Sequence, residues 1–429
     1  MSQQVIDIGS SPNSGNGNPL RTAWTKANAN FTELYNGAVG LATDVLYVSK
    51  SGNDSNTGLT LSAAFLTVNR AVQAGNLLVA VTPTARVCIF VKSGSYTESN
   101  PVTFGPRITV WGDNLRSVSI LPGNPAEDIF HLSNACYVAG MTFRDHVSPT
   151  AAVAFAPGAG VITTSPYVQN CSSITTTGVG MRINGALATG TRSMVADAFT
   201  QVNQGGIGVE ILNQGYAQLV SVFTVCCQYG ILCTTGGTCS VTNSNTSFGT
   251  YGLVADGKIA VNNPGATNGT TQIGNQIVID GLAVRPNINQ AVSFDGGVTL
   301  IDIWDVTPLV AGQTTITLAT DITTPLLNNT PCTFYIRSAI NASGHTFEYV
   351  GTGNDLTTAL PQTGAIAIPA NQVVKLNGGQ VIYTSTDERG DFKVGDHLTI
   401  NGAAGTITGE TFDKSLFAVM TPYILALEG

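Results

Sequence analysis

The stretch from Val179 to Gly257 repeats one short motif, which reads Gly208-Val-Glu-Ile211, Tyr229-Gly-Ile-Leu-Cys233 and Tyr251-Gly-Leu-Val-Ala255. Gly208, Gly230 and Gly252 follow one another at a constant interval, and Gly180 precedes Gly208 by a slightly longer one. Short apolar, strand-like pieces separate the copies. A period of about 22 with turn residues at fixed offsets is typical of a β-solenoid, in which each repeat forms one coil stacked on the last.

The composition agrees with many short strands joined by turns. The chain has 429 residues and 48 glycines, and only 10% of its residues are charged. Ser, Thr, Asn and Val are abundant, as strands and turns require. A net charge of −8 gives no basic surface for a nucleic-acid backbone, so we expect no nucleic-acid partner.

The start of the chain and its hydropathy predict a protein made and folded in a reducing cytoplasm. The first residues, Met1-Ser-Gln-Gln-Val5, are polar, so we expect no secretory signal. The most apolar region, 77–91, is interrupted by Pro83 and Arg86, so we expect no membrane insertion. Four clustered cysteines match no zinc spacing and are expected to be buried, reduced thiols. These cysteines are Cys226, Cys227, Cys233 and Cys239.

The first forty residues predict a separate unit. After a short strand and a loop rich in Ser, Asn and Gly, apolar residues recur every three or four positions from Pro19 onward, which predicts a helix. Its apolar side can pack on the solenoid or against copies of itself, and we favour the second. The side chains concerned are Leu20, Ala23, Trp24, Ala27, Phe31 and Leu34.

This segment resembles the N-terminal module of many bacteriophage tail fibre, tailspike and baseplate proteins. The likeness lies in Ile6-Asp-Ile-Gly9, Asn18-Pro-Leu-Arg-Thr-Ala23 and Lys26-Ala-Asn-Ala-Asn-Phe-Thr-Glu-Leu-Tyr35. The resemblance implies a homotrimer anchored to the virion through residues 1–44. It assigns anchoring or oligomerisation to Pro19, Leu20, Arg21, Trp24, Phe31, Leu34 and Tyr35.

Residues 46–73 predict a strand, a Gly/Asn/Asp loop and a helix that begins at Ser62 and ends near Gln73. Such a helix would cover the open end of a solenoid. The order resembles the entry to pectate-lyase-like right-handed β-helices. Asn53, Asp54 and Asn56 suggest calcium, but no glutamate follows at EF-hand spacing, so we interpret them as a turn and expect neither metal nor cofactor.

The coils are predicted to fill 45–297. Short β-branched runs that end in turn residues continue to about Phe294, which predicts about nine coils and a rod of about 40 Å. From Val298 the alternation predicts antiparallel strands, so 298–429 is expected to form one or two small β domains. Tyr383–Gly395 and Gly405–Gly409 are similar to C-terminal regions of structural proteins from large tailed phages, notably those of cyanobacteria.

Catalytic carboxylates are scarce in the coils. Between Val147 and Ala255 the charged residues are Arg182, Arg192, Asp197 and Glu210. More than half a coil of sequence separates Asp197 from Glu210, so they are expected on different faces unless a trimer brings them together. Glycoside hydrolysis needs two carboxylates roughly 5–10 Å apart.

A denser group of acids and histidines precedes them: Asp113, Glu127, Asp128, His131, Asp145 and His146. One interpretation makes Glu127 or Asp128 an acid and His146 a base. The other, which we favour, makes the acids turn residues and the histidines surface or capping groups.

The sequence therefore predicts an all-β homotrimer with an N-terminal helical anchor, a right-handed parallel β-helix and C-terminal antiparallel β domains. We expect a structural phage tail component located in the virion. Its partners would be itself, other tail or baseplate proteins and a host surface glycan. A polysaccharide depolymerase is the alternative, and a bacterial adhesin is less favoured.

Overall fold

The computed structural model describes residues 45–342, together with 6–7, 15–16, 18–19 and 22–28 near the start of the chain. Further on, it describes the backbone of several short strands. These span His345–Glu348, Ile366–Pro369, Gln372–Lys375, Val381–Thr384, Asp396–Ile400 and Ile407–Thr408.

Most of residues 45–256 wind into coils, and each coil gives one strand to each of three faces. Strands on one face pair in parallel with the coil before and the coil after; Val153, for example, pairs with Phe130 and with Met181. The predicted all-β fold with a parallel β-helix is confirmed.

Face 1 and face 2 share two long strands that turn the corner between them, Tyr167–Thr175 and Ser193–Asn203. The other strands of face 1 are Val45–Val48, Val87–Val91, Ile108–Gly112, Tyr137–Ala139, Tyr216–Val220 and Thr238–Thr242. The other strands of face 2 are Gly94–Glu98, Val118–Pro122, Thr142–Arg144, Phe223–Val225 and Asn245–Ser247.

Face 3 stands alone as a separate sheet. Its parallel strands are Val102–Thr103, Phe130–Leu132, Ala151–Phe155, Val179–Asn184, Ile207–Leu212, Tyr229–Thr234 and Tyr251–Asp256. Along each strand the side chains alternate between the interior and the outside. Inward positions such as Ile89, Val138 and Ile183 are fully buried. Their burial supplies the hydrophobic stabilisation of the rod.

The glycines of the repeated motif occupy inward positions on face 3, where a side chain would collide with residues of face 2. A Cβ at Gly208 would lie 2.4 Å from the Gly230 carbonyl oxygen and 2.4 Å from Cγ2 of Thr224 on face 2. The inward column of face 2 changes from Phe143 to the polar Ser173 and continues to Thr224. The motif therefore repeats because the coils that carry it need a residue without a side chain opposite that column, whereas the preceding coil has Ala152 at this position.

Within residues 45–342 the β-helix has about seven coils, so the predicted nine are wrong. The short period of the repeated motif holds only near the end of the rod. In the middle, Tyr137 pairs with Tyr167 and Tyr167 with Val195, so these coils are markedly longer. The extra residues form a lateral ledge in which Gly160–Ile162 pairs with Ala188–Gly190. Seven coils give a rod of about 30 Å.

A helix covers the N-terminal end of the rod, as expected, but at a different place in the sequence. It spans Val68–Val81 and begins after Thr67, whose side chain accepts a hydrogen bond from the Arg70 backbone. The predicted start at Ser62 is wrong because Leu61–Ala63 forms a separate 3-10 turn. We call Val68–Val81 the cap helix.

Two acids, the buried Glu98 and the half-buried Asp54, accept hydrogen bonds at the start of the cap helix. Glu98 on face 2 accepts hydrogen bonds from the backbone N–H groups of Val68 at 2.8 Å and Asn69 at 2.7 Å. Asp54 accepts from Thr67 N at 2.9 Å and also from the neighbouring backbone. Carboxylates at a helix N-terminus satisfy unpaired N–H groups. In the loop suggested for calcium, Asp54 therefore already accepts hydrogen bonds from the protein backbone.

An antiparallel β-barrel follows directly after Gly257. Pro331–Arg337 pairs with both Gly265–Thr267 and Ala291–Ser293, which closes the ring. The other strands are Lys258–Ala260, Gln272–Asp280, Ile301–Val306 and Thr314–Leu326. The C-terminal antiparallel unit is confirmed, but the continuous series of parallel coils ends near residue 257 and not at the predicted 297. The parallel and antiparallel strands are both rich in β-branched residues, so the sequence does not show where antiparallel pairing begins.

After the barrel the chain returns to the rod. Ala339–Ala342 pairs in parallel with Thr238–Thr242 and extends face 1. Ile366–Pro369 pairs antiparallel with the last strand of face 3, Tyr251–Asp256. Most of the later predicted strands fall on described backbone, whereas 392–394 and the apolar tail 416–427 lie outside the described residues.

The N-terminal helix is described over 22–28, within the range that the sequence predicts. There Trp24 is 61% exposed. The anchor residues Leu20, Arg21, Phe31, Leu34 and Tyr35 lie outside the described residues.

Candidate functional site

Four charged or titratable side chains of the coils gather on the outside of face 3. Parallel register places Arg182 directly beside Glu210 of the next coil. Arg182 Nε donates to Glu210 Oε2 at 2.6 Å, and Nη1 lies 3.3 Å from Asp128 Oδ1. His131 Nε2 lies 3.0 Å from Asp128 Oδ2. We call these four residues, Asp128, His131, Arg182 and Glu210, the ion-pair ladder.

The ladder is largely withdrawn from solvent. The side chains of Arg182, Glu210 and Asp128 are 20%, 20% and 17% exposed. Arg182 also donates through Nη2 to the Pro149 carbonyl oxygen. Burial alone would raise the pKa of Asp128, but hydrogen bonds from His131 and the Ala151 backbone, with the Arg182 charge, outweigh it and lower that pKa.

These contacts decide what the ladder can do chemically. An acid catalyst for glycoside hydrolysis must hold a proton near neutral pH, which requires a raised pKa. Asp128 has the opposite shift, and both carboxylates share one guanidinium. The arrangement is that of a structural ion pair, which joins coils that lie far apart in sequence.

The other proposed acid and base do not complete a catalytic group. Glu127 is exposed in the turn after Asn124. His146 is fully buried, and its Nε2 donates to the Val179 carbonyl oxygen at 3.0 Å. Burial lowers the pKa of His146 to about 4, so the ring is neutral. His146 borders an open groove of about 370 Å³ between faces 2 and 3, yet its ring nitrogens are sealed from solvent.

Asp197 lies on face 1, whereas Glu210 lies on face 3, as the sequence predicts for residues half a coil apart. Gln169 Nε2 donates to Asp197 Oδ2 at 2.9 Å, and the Tyr167 hydroxyl lies 3.3 Å from the same oxygen. Asp197 therefore belongs to a hydrogen-bonded group on face 1 and has no carboxylate partner in it.

Face 1 also carries a row of aromatic rings on its outer side, which the sequence-based predictions do not include. Tyr47 stacks on Phe90 with ring centroids 6.0 Å apart; Trp111 lies 5.8 Å from Tyr137, which lies 5.8 Å from Tyr167. We call these five residues the aromatic stripe. Phe90 is 39% exposed and Trp111 is 47% exposed.

The stripe is hard to find from the sequence because the strands that carry it are separated by unequal coils. Tyr47 and Phe90 are in register, as are Phe90 and Trp111, although the chain between the first pair is far longer than that between the second. The available signal is one aromatic at an outward position of each early face 1 strand.

The clustered cysteines are mostly buried. Cys227, Cys233 and Cys239 are buried as free thiols, and Cys226 is half-buried. Burial raises the pKa of Cys227 to about 12. In the described part of the chain, no three His, Cys, Asp or Glu side chains gather as metal ligands. No described helix is long and apolar enough to span a membrane.

No protein-family model and no curated protein matches the chain. Among solved structures, it is similar to the A-module of Azotobacter vinelandii mannuronan C-5 epimerase AlgE6, with 11% identity and a TM-score of 0.27. That match covers 42% of this chain and only 60% of the A-module.

Two further solved structures are similar over more of the chain. ORF18 of Geobacillus virus E2 matches 93% of this chain and 92% of its own, with 11% identity and a TM-score of 0.24. WceF of Pantoea stewartii, described as a glycan biofilm modifying enzyme with a bacteriophage tailspike-like parallel β-helix fold, matches 81% of this chain and 72% of its own, with 9% identity and a TM-score of 0.27. Likenesses with TM-scores this low carry no argument about this chain.

Proposed function

We propose that this chain is a structural component of a bacteriophage tail, as a fibre, a spike or a baseplate-associated protein, that contacts the host surface without cleaving it. The observation that carries the proposal is the pairing of the coil acids. Arg182 Nε lies 2.6 Å from Glu210 Oε2, and Nη1 lies 3.3 Å from Asp128 Oδ1, so the carboxylates of face 3 stabilise the stacking of the coils.

The N-terminal resemblance supports attachment to the virion. It implies that residues 1–44 join three copies and bind another tail or baseplate protein. Trp24, 61% exposed in a helix with an apolar side, fits a residue that another chain covers. Static light scattering of the purified protein tests the homotrimer: three times the 44.4 kDa chain mass is expected, and a monomer contradicts it.

A polysaccharide depolymerase is the second candidate, because Asp128 and Glu210 share one outer face and flank a cation. Incubation of the purified protein with surface glycans extracted from the host separates the two. Reducing ends and the ultraviolet absorbance of unsaturated sugars are followed over time. We expect neither to increase, and an increase that Glu210→Gln abolishes would establish the enzyme.

A further inference from the structure

We propose that the aromatic stripe of face 1 is a binding site for an uncharged saccharide chain. The inference deepens the proposed function, since it gives a rod that touches the host surface a defined place for a glycan. It concerns face 1, away from the ion-pair ladder.

The rings form an extended apolar surface of the kind that sugars contact. They occupy neighbouring strands along the rod, so the stripe extends over about 20 Å. Trp111 is tilted by 41° from Tyr137, and almost half of its surface faces solvent. Phe90 and Trp111 are exposed and the three tyrosines are half-buried, so rings held on a rigid sheet lose little side-chain freedom on binding, which favours recognition.

Hydrogen-bonding groups are already oriented beside the rings. The Tyr137 hydroxyl donates to Gln169 Oε1 at 2.5 Å, and Gln169 Nε2 donates to Asp197 Oδ2. Burial, and then the Asp197 charge, raise the pKa of Tyr167, so its phenol stays protonated and donates. An apolar platform edged by a few fixed polar groups matches the two chemical sides of a sugar ring.

The charge at the Tyr137–Tyr167 end of the stripe favours an uncharged ligand. Val45–Val48, Val87–Val91, Ile108–Gly112 and Tyr137–Ala139 contain no lysine or arginine, nor do Tyr167–Gln169 and Val195–Asp197 next to them. Among these face 1 strands the only ionisable carboxyl group is Asp197. A polyanion would meet this carboxylate at the Tyr167 end of the stripe, whereas the cations Arg86 and Lys92 lie at the ends of Val87–Val91, four strands away. A neutral chain meets no such penalty.

A second copy of the chain fits the surface less well. The core of a subunit interface is mostly apolar, with charged groups depleted. Here the rings alternate with Thr109, Gln169 and Asp197, and the last two are already tied to each other in a polar network. Those groups suit a hydroxyl-rich ligand, and a dry interface would remove the Asp197 charge from water.

The test is affinity electrophoresis of the full-length protein in native gels that contain dextran, mannan or polygalacturonate, with chitohexaose titrated by tryptophan fluorescence. We expect binding to at least one of the neutral probes and none to polygalacturonate. Trp111→Ala should weaken that binding by about tenfold or more, as loss of a central aromatic does. Trp304→Ala is the matched control, because Trp304 is 69% exposed on the barrel and should bind as the unaltered protein does.

Three results would overturn the proposal. They are binding to no neutral probe, equal losses for both tryptophan variants, and dissociation of an oligomer by Trp111→Ala, which would make the stripe a subunit interface. Tyr167→Ala tests the same surface if Trp111→Ala fails to fold. None of these results bears on whether the protein is in the virion or cleaves glycans, so the proposed function is judged separately.

Discussion

Replacing Arg182 by methionine removes the cation that joins three coils while keeping most of the apolar volume of the side chain. Two carboxylates, on Asp128 and Glu210, are then left about four-fifths buried without their partner. Breaking a fully buried ion pair costs about 3–5 kcal/mol, and an exposed one about 0–1 kcal/mol. For side chains one-fifth exposed we expect Arg182→Met to lower the free energy of unfolding by about 2–3 kcal/mol.

Urea unfolding followed by circular dichroism measures this change, with the same substitution at Arg192 as the matched control. Arg192 donates to the neutral amide of Gln214 at 2.9 Å, so Arg192→Met should cost about 1 kcal/mol or less. In the double variant Arg182→Met with Glu210→Gln, the loss should be smaller than the sum of the two single losses, because one uncompensated charge is gone. A cost below about 1 kcal/mol for Arg182→Met, or strict additivity with Glu210→Gln, would refute the structural role of the ladder.

Other consequences concern packing, pH and the cap helix. Gly208→Ala should cost more than about 3 kcal/mol because its Cβ meets backbone at 2.4 Å, whereas Gly158→Ala, in open space at φ +68°, should cost about 1–2 kcal/mol; thermal melts compare them. Burial lowers the pKa of His146 to about 4 in the folded chain, compared with the ordinary value of 6.5, so the unfolded chain takes up the proton first as the pH falls. The free energy of unfolding should therefore fall by up to about 3 kcal/mol between pH 6.5 and 4. His146→Leu should remove this pH dependence from urea unfolding. Glu98→Ala should speed hydrogen exchange at the start of the cap helix, while exchange on face 3 stays unchanged.

The sequence predicts the solenoid well because coil stacking leaves a periodic trace. The interval of the repeated motif appears directly as the pairing of Tyr229 with Tyr251. The sequence does not predict the number of coils correctly, because the ledge at Gly160–Ile162 adds residues without adding strands to the faces. The sequence does not predict where the barrel begins, because the composition of a strand does not show whether its partner runs parallel or antiparallel.

The candidate sites depend on register, which explains why only their parts are visible in the sequence. Asp128 and Arg182 are distant in sequence and meet because the coils between them have particular lengths. His146 is a plausible base by residue type alone, and only its burial against Val179 removes that role. The aromatic stripe likewise becomes one surface only when each strand is aligned with the next.

If the chain belongs to a phage tail, purified virions contain it. Mass spectrometry of gradient-purified particles, with gold-labelled antibody against the rod, reports whether the protein is present and where. We expect a stoichiometric tail protein whose copies label the tail. Its absence from particles, with the full amount left free in the lysate, would contradict the account.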